Sequence, residues 1–90
     1  MTDTTAPLNV LFLCTHNAGR SILAEALLKD IGQGRFHAYS AGSSPRPGEL
    51  PHPLGLQVLR RAGVPVDGLR SKSWDEFAAP GAPHMDLIIT

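Results

Sequence analysis

The run Leu8-Asn9-Val10-Leu11-Phe12-Leu13 is apolar almost without interruption and stops at Cys14. A short apolar run without alternation predicts a strand buried on both faces, as in a parallel sheet. The period then changes. From Ser21 to Ile31 the residues Leu23, Leu27 and Ile31 recur at i, i+4, with Ala24 and Leu28 beside them, which predicts an amphipathic helix carrying that apolar face. Glu25 and Lys29 read as an exposed i, i+4 pair on it, and Gly32 and Gly34 as its end. Arg35 to Ala41 alternates around Phe36 and Tyr39 and predicts a second strand. Strand, helix and strand over this length form a right-handed βαβ unit with parallel strands.

Gly42 to Pro53 is dense in glycine, proline and serine and reads as a surface loop. Pro53 suits the first turn of a second helix, running to about Ala62, with Leu54, Val58 and Ala62 as its buried face and Gly63 as its stop. Val64 to Lys72 is irregular. Ser73 to Phe77 predicts a short capped helix, with Ser73 as N-cap, Glu76 in the capping-box position, and Trp74 and Phe77 as core anchors. Pro80 to Pro83 is a loop, and Leu87-Ile88-Ile89 a third strand. Residues 1–7 are expected to be a disordered lead-in. A three-stranded parallel sheet leaves an open edge, so residues 8–90 are expected to be the N-terminal part of a single α/β domain, truncated after the third strand.

Composition narrows the function. Eight basic and eight acidic residues give no net charge. That argues against nucleic acid or a membrane surface as partner, since both require a basic patch. With one cysteine, no intramolecular disulfide can form. The N-terminus lacks a signal-peptide pattern, and no apolar run approaches a membrane span, so a cytoplasmic location is expected. His16, His37, His52 and His84 show no metal-ligand spacing, so no metal site is expected.

The chemistry gathers in Cys14-Thr15-His16-Asn17-Ala18-Gly19-Arg20-Ser21. Cys14 ends the first strand just before a helix, where open α/β sheets bind ligands. Loop N–H groups turned inward there make a nest for an anion, and the helix N-terminus adds positive partial charge. Such a field favours a nucleophilic thiolate. Arg20, six positions on, can return over the sulfur and grip two oxyanion oxygens with its planar fork. Ser21 can donate its hydroxyl to the thiolate. Asn17 tolerates left-handed backbone and can brace the loop, and Gly19 permits close backbone approach to a ligand. Thr15, His16 and Ala18 complete the oxyanion-binding turn. Neither a Gly-x4-Gly-Lys-Ser/Thr phosphate loop nor a dinucleotide fingerprint occurs.

From Val10 through Leu28 the chain resembles the low-molecular-weight protein tyrosine phosphatase superfamily, as do Tyr39-Ser40-Ala41-Gly42 and His52-Pro53. Gly68 to Phe77 makes it most similar to the bacterial arsenate reductase branch. The resemblance implies a three-layer α/β fold with a parallel sheet, and Ser40 as a support that braces Asn17. It implies arsenic-resistance chemistry: Cys14 attacks arsenate, Arg20 and the loop amides hold the charge, and a second thiol releases arsenite. No bound cofactor is implied. With no other cysteine in these ninety residues, that thiol comes from outside (mycothiol, glutathione or a redoxin) or from sequence beyond Thr90. A phosphatase would share the first step, form a phosphocysteine and then use water with an aspartate from an Asp-Pro loop. None of Asp3, Asp30, Asp67, Asp75 and Asp86 precedes a proline. A third reading is therefore a truncated, non-catalytic oxyanion-binding module.

Overall fold

In a computed structural model, residues 7–32, 34–46 and 50–90 are described. The expected lead-in, apart from Pro7, lies outside them, as do three residues of the loop after the second strand.

Strand β1 (Leu8–Cys14) is central. It pairs in parallel with β2 (Phe36–Gly42) on one side and with β3 (Leu87–Ile89) on the other. The sheet order is therefore β2-β1-β3. The register sets Phe12 opposite Ser40 and Cys14 opposite Gly42. Helix α1 (Arg20–Gly32) crosses between β1 and β2 and packs on both. Ser40 of β2 reaches Glu25 of α1, so the even-numbered positions of β2 face that helix. On the other face, Tyr39 meets Phe77 of the 3-10 helix Trp74–Phe77 edge to face, with ring centroids 5.5 Å apart. Helix, sheet and helix make the expected three-layer α/β arrangement. Helix α2 (Pro53–Arg61) packs against α1, where Leu59, Ala26 and Val64 form a small core.

Several faces differ from expectation. In β1 only Val10 and Leu11 are buried, and Leu8 is exposed, because β3 is an uncovered edge whose three residues are all exposed. In α1 the buried residues are Ser21, Ile22, Glu25, Ala26 and Gly32, while Leu27 and Ile31 face outward. Ser21 must point at the end of β1, which rotates the leucine stripe off the sheet. Lys29 does bond Glu25 at 2.6 Å, but Glu25 is buried rather than exposed. In α2 the buried residue is Leu59, whereas Leu54, Val58 and Ala62 are exposed. Ser73 caps the 3-10 helix by accepting from Asp75 N, but Glu76 pairs with Arg70 instead of closing a capping box. Phe77 is half-buried, while Trp74 is exposed and no core anchor.

Candidate active site

Cys14 closes β1, and residues 15–19 turn the chain into α1. The turn is tied to its surroundings by main-chain bonds. Ser43 N donates to Cys14 O at 2.9 Å and Ser44 N to Thr15 O at 2.8 Å, while His52 N donates to Ala18 O at 2.7 Å. The His16 ring nitrogen Nδ1 lies 3.1 Å from Ser44 O. His52 also caps α2, its own Nδ1 accepting from Leu54 N. Gly42 is where β2 meets this turn: a Cβ there would stand 2.7 Å from Thr15 O and 2.9 Å from the His16 carbonyl carbon. Only glycine lets the two backbones approach this closely.

Two donors converge on the sulfur. Asn17 N points at Cys14 Sγ at 3.0 Å, and Ser21 Oγ lies 2.8 Å from it. The direction of the second bond follows from Asn17, whose side chain is fully buried and whose φ of 54° is left-handed. Asn17 Oδ1 accepts from Lys72 N at 2.8 Å, which turns Nδ2 toward Ser21 Oγ at 2.9 Å. An amide nitrogen only donates, so Ser21 Oγ accepts from it and keeps its own proton for Cys14. A sulfur that accepts from an amide and a hydroxyl together is held as an acceptor, the arrangement that suits a thiolate.

The cleft above the sulfur has a volume of about 810 Å³ and is lined by Cys14, Thr15, His16, Asn17, Ala18, Gly19 and Arg20. All the sequence-derived loop positions thus meet in one cavity, except Ser21, which lies beneath the sulfur. Arg20 opens α1 with an exposed side chain that makes no hydrogen bond or ion pair with another described residue, so it is free to meet an anion. The N–H groups of His16, Ala18 and Gly19 likewise donate to no other described residue. Unspent amides at a helix N-terminus around a nucleophile suit a tetrahedral oxyanion. Leu13, Ser43, Trp74 and Thr90 form the rest of the wall.

Ser40 is placed differently from the expected brace on Asn17. Its hydroxyl donates to Glu25 Oε1, and the brace on Asn17 Oδ1 is Lys72 N. Glu25, Ser40 and Lys72 form a buried polar cluster beneath the loop. Burial pushes the Lys72 ammonium below the ordinary lysine range, and the nearby Glu25 carboxylate partly offsets this. Sequence reasoning passed over Lys72 and Glu25. The i, i+4 spacing of Glu25 to Lys29 is also that of a solvated pair, and nothing local marks Lys72. For Trp74 the sequence offered an aromatic substrate platform beside a core anchor and favoured the anchor, since an aromatic in a short amphipathic helix reads as core; it stands instead at the cleft wall.

Among the described residues, no group of three or more His, Cys, Asp or Glu side chains is placed to hold a metal ion. No helix among them is long and apolar enough to cross a membrane.

Known proteins related to the chain include both phosphatases and arsenate reductases. Low molecular weight protein-tyrosine-phosphatase YfkJ of Bacillus subtilis is 35% identical over 75 residues, covering 77% of this chain and 48% of that protein. The glutaredoxin arsenate reductase of a Synechocystis species is 27% identical over 81 residues, 90% of this chain and 57% of that one. The structure of a thioredoxin-dependent arsenate reductase from Corynebacterium glutamicum superposes with a TM-score of 0.70 at 39% identity, covering 77% of this chain and 35% of that one. The chain spans about half the length of the curated relatives it matches. Both phosphatases and arsenate reductases are thus among its relatives, and a single cysteine at the nucleophile position is compatible with either chemistry. Residues 9–90 match the family of low molecular weight phosphotyrosine protein phosphatases, and the chain belongs to that family.

Proposed function

We propose that the chain reduces arsenate through Cys14 with an external thiol. The observation that carries the reading is the convergence of Ser21 Oγ and Asn17 N on Cys14 Sγ beneath a cleft of unspent amides and Arg20. The Cys14 thiolate attacks arsenic(V), a sulfur–arsenic bond forms, and one arsenate oxygen leaves as water after protonation. Arg20 and the loop amides hold the remaining oxygens. The external thiol then attacks Cys14 Sγ. A mixed disulfide forms, and the electron pair of the sulfur–arsenic bond passes to arsenic, which departs as arsenite. A second thiol frees Cys14, so two thiols become one disulfide for each arsenic reduced. Among these ninety residues Cys14 is the only cysteine, so the second thiol comes from outside them. The 39% identity to a protein described as thioredoxin-dependent arsenate reductase supports a redoxin in that role.

A second reading is favoured by Trp74. Its exposed ring stands in the cleft wall beside Leu13, a surface on which the ring of an aromatic phosphoester can lie. The 35% identity to YfkJ supports it. In this reading an aryl phosphate replaces arsenate: Cys14 Sγ attacks phosphorus, the P–O bond to the aryl group breaks and the phenol leaves after protonation, and water then cleaves the S–P bond to release phosphate and free Cys14.

The two readings separate by product. Arsenite release from arsenate with thioredoxin or a low-molecular-weight thiol is measured beside phosphate release from phosphotyrosine, with Cys14→Ser as the blank. Arsenite formation that depends on thiol and Cys14 supports reductase. Phosphate release without arsenite refutes it in favour of the phosphatase. If neither product forms while phosphate still shields Cys14 from alkylation, the chain is an oxyanion-binding module.

A further inference from the structure

We propose that Lys72 is a positioning residue for Cys14, acting through Asn17 and Ser21; this rests on the oxyanion chemistry assigned above to Cys14. Lys72 ties together three parts of the fold. Its N–H donates to Asn17 Oδ1 at 2.8 Å, and its carbonyl accepts from Gly42 N at 2.8 Å. Its ammonium donates to Ser40 O of β2 at 2.9 Å and to Arg70 O at 2.8 Å, and stands 3.7 Å from Glu25 Oε1 of α1. The Lys72 and Glu25 side chains are 9% and 5% exposed.

The main chain around Lys72 belongs to no helix or strand that would fix its position by itself. Residues 64–72 form neither helix nor strand, and among the described residues the one β-bridge nearby is the isolated one between Gly42 and Ser73. The height of Lys72 N–H relative to Asn17 therefore depends on the ammonium below it. If that N–H shifts, Asn17 Oδ1 loses its donor and the amide is free to turn. Ser21 Oγ then no longer receives Nδ2, and its proton is no longer committed to Cys14 Sγ. A buried cation thus reaches the nucleophile by orienting one amide and one hydroxyl, without touching substrate. The charged groups around it are Glu25 and Lys29 of α1, and Arg70 and Glu76 from its own stretch of chain.

Lys72→Met keeps the stem and the main-chain N–H but removes the ammonium. It leaves the buried Glu25 carboxylate with Lys29 and Ser40 but one cation fewer, so Lys72→Met with Glu25→Gln is the companion variant. Cys14 in each protein is alkylated with iodoacetamide at pH 7 and at pH 9.5, with and without inorganic phosphate, and urea unfolding is followed in parallel. At pH 7 the single variant should react about fivefold more slowly than wild type, the worth of one lost hydrogen bond to sulfur. At pH 9.5, where any thiol is largely ionised, it should stay within about twofold. The double variant should recover stability while keeping the slow reaction at pH 7. Unchanged rates, equal slowing at both pH values, or reactivity that returns together with stability would each overturn the proposal. If phosphate fails to protect wild-type Cys14, the oxyanion reading falls instead; the Lys72 proposal is read from the rates alone.

Discussion

Asn17 offers the sharpest test of how the loop is built. Its side chain is fully buried, its φ is 54°, and its amide links Lys72 N to Ser21 Oγ. Asn17→Ala removes both side-chain bonds. The Lys72 N–H is left without its acceptor, which costs about 1–3 kcal/mol. Alanine must also hold a left-handed backbone without the local hydrogen bonding that helps asparagine, at about 1 kcal/mol. The total is about 2–4 kcal/mol, a large share of the roughly 5–15 kcal/mol that stabilises a small domain. Asn17→Gly separates the two contributions. It loses the same side-chain bonds but carries no penalty at positive φ, so it should be more stable than Asn17→Ala by about 1 kcal/mol. Urea unfolding of the three proteins, followed by Trp74 fluorescence or circular dichroism, measures both differences. A glycine variant no more stable than the alanine variant would refute the left-handed turn. An alanine variant within about 0.5 kcal/mol of wild type would refute the buried amide link.

Further outcomes follow from the same geometry. Gly42→Ala places a methyl group 2.7 Å from Thr15 O, so the loop must move; it should abolish phosphate protection of Cys14 and lower stability by about 1–3 kcal/mol, read by alkylation and urea unfolding. Ser21→Ala should slow alkylation of Cys14 at pH 7 by about fivefold while leaving the fast reaction at high pH intact, checked by the rate ratio between the two. The lowered Lys72 ammonium gives a stability that depends on pH. Between its folded value and the ordinary 10.5, the unfolded chain binds the extra proton, so stability rises with pH across that window. Subtracting the unfolding free energy of Lys72→Met from that of wild type should show the rise, and a flat difference on the alkaline side would contradict it. The Glu76 carboxyl, held low by its hydrogen bonds to Arg70, gives the same sign in the acid range, stability rising with pH. Its contribution is complete above the ordinary carboxylate range and is lost as pH falls through the folded value, but at this exposed pair it should be no more than a few tenths of a kcal/mol. Acid titration of Glu76→Gln against wild type measures it.

Much of the order of elements was legible because it is local. The apolar run before Cys14, the change of period after it and the alternation around Phe36 and Tyr39 each reflect which neighbours within a few residues share a face. The composition of the loop was legible for the same reason. A cysteine, an arginine six positions on and a serine after it lie within a single turn, so their meeting needs no distant partner. What could not be read were choices made across the fold. Leu27 and Ile31 looked like the inner face of α1, yet Ser21 and Glu25 occupy it, because the turn at Asn17 sets the helix's rotation. Leu54 and Val58 looked like the inner face of α2, yet Leu59 fills it, because the core it meets is built from Ala26 and Val64.

The sequence alone determined a strand, a turn with a nucleophile and a helix, since periodicity and turn chemistry act over a few residues. Only the tertiary structure decided what holds that nucleophile. Lys72 comes to Asn17 from 55 positions away, and Ser40 to Glu25 from 15. Buried polar groups take whichever partner the packing brings within hydrogen-bond reach, and that partner leaves no periodic trace in the chain.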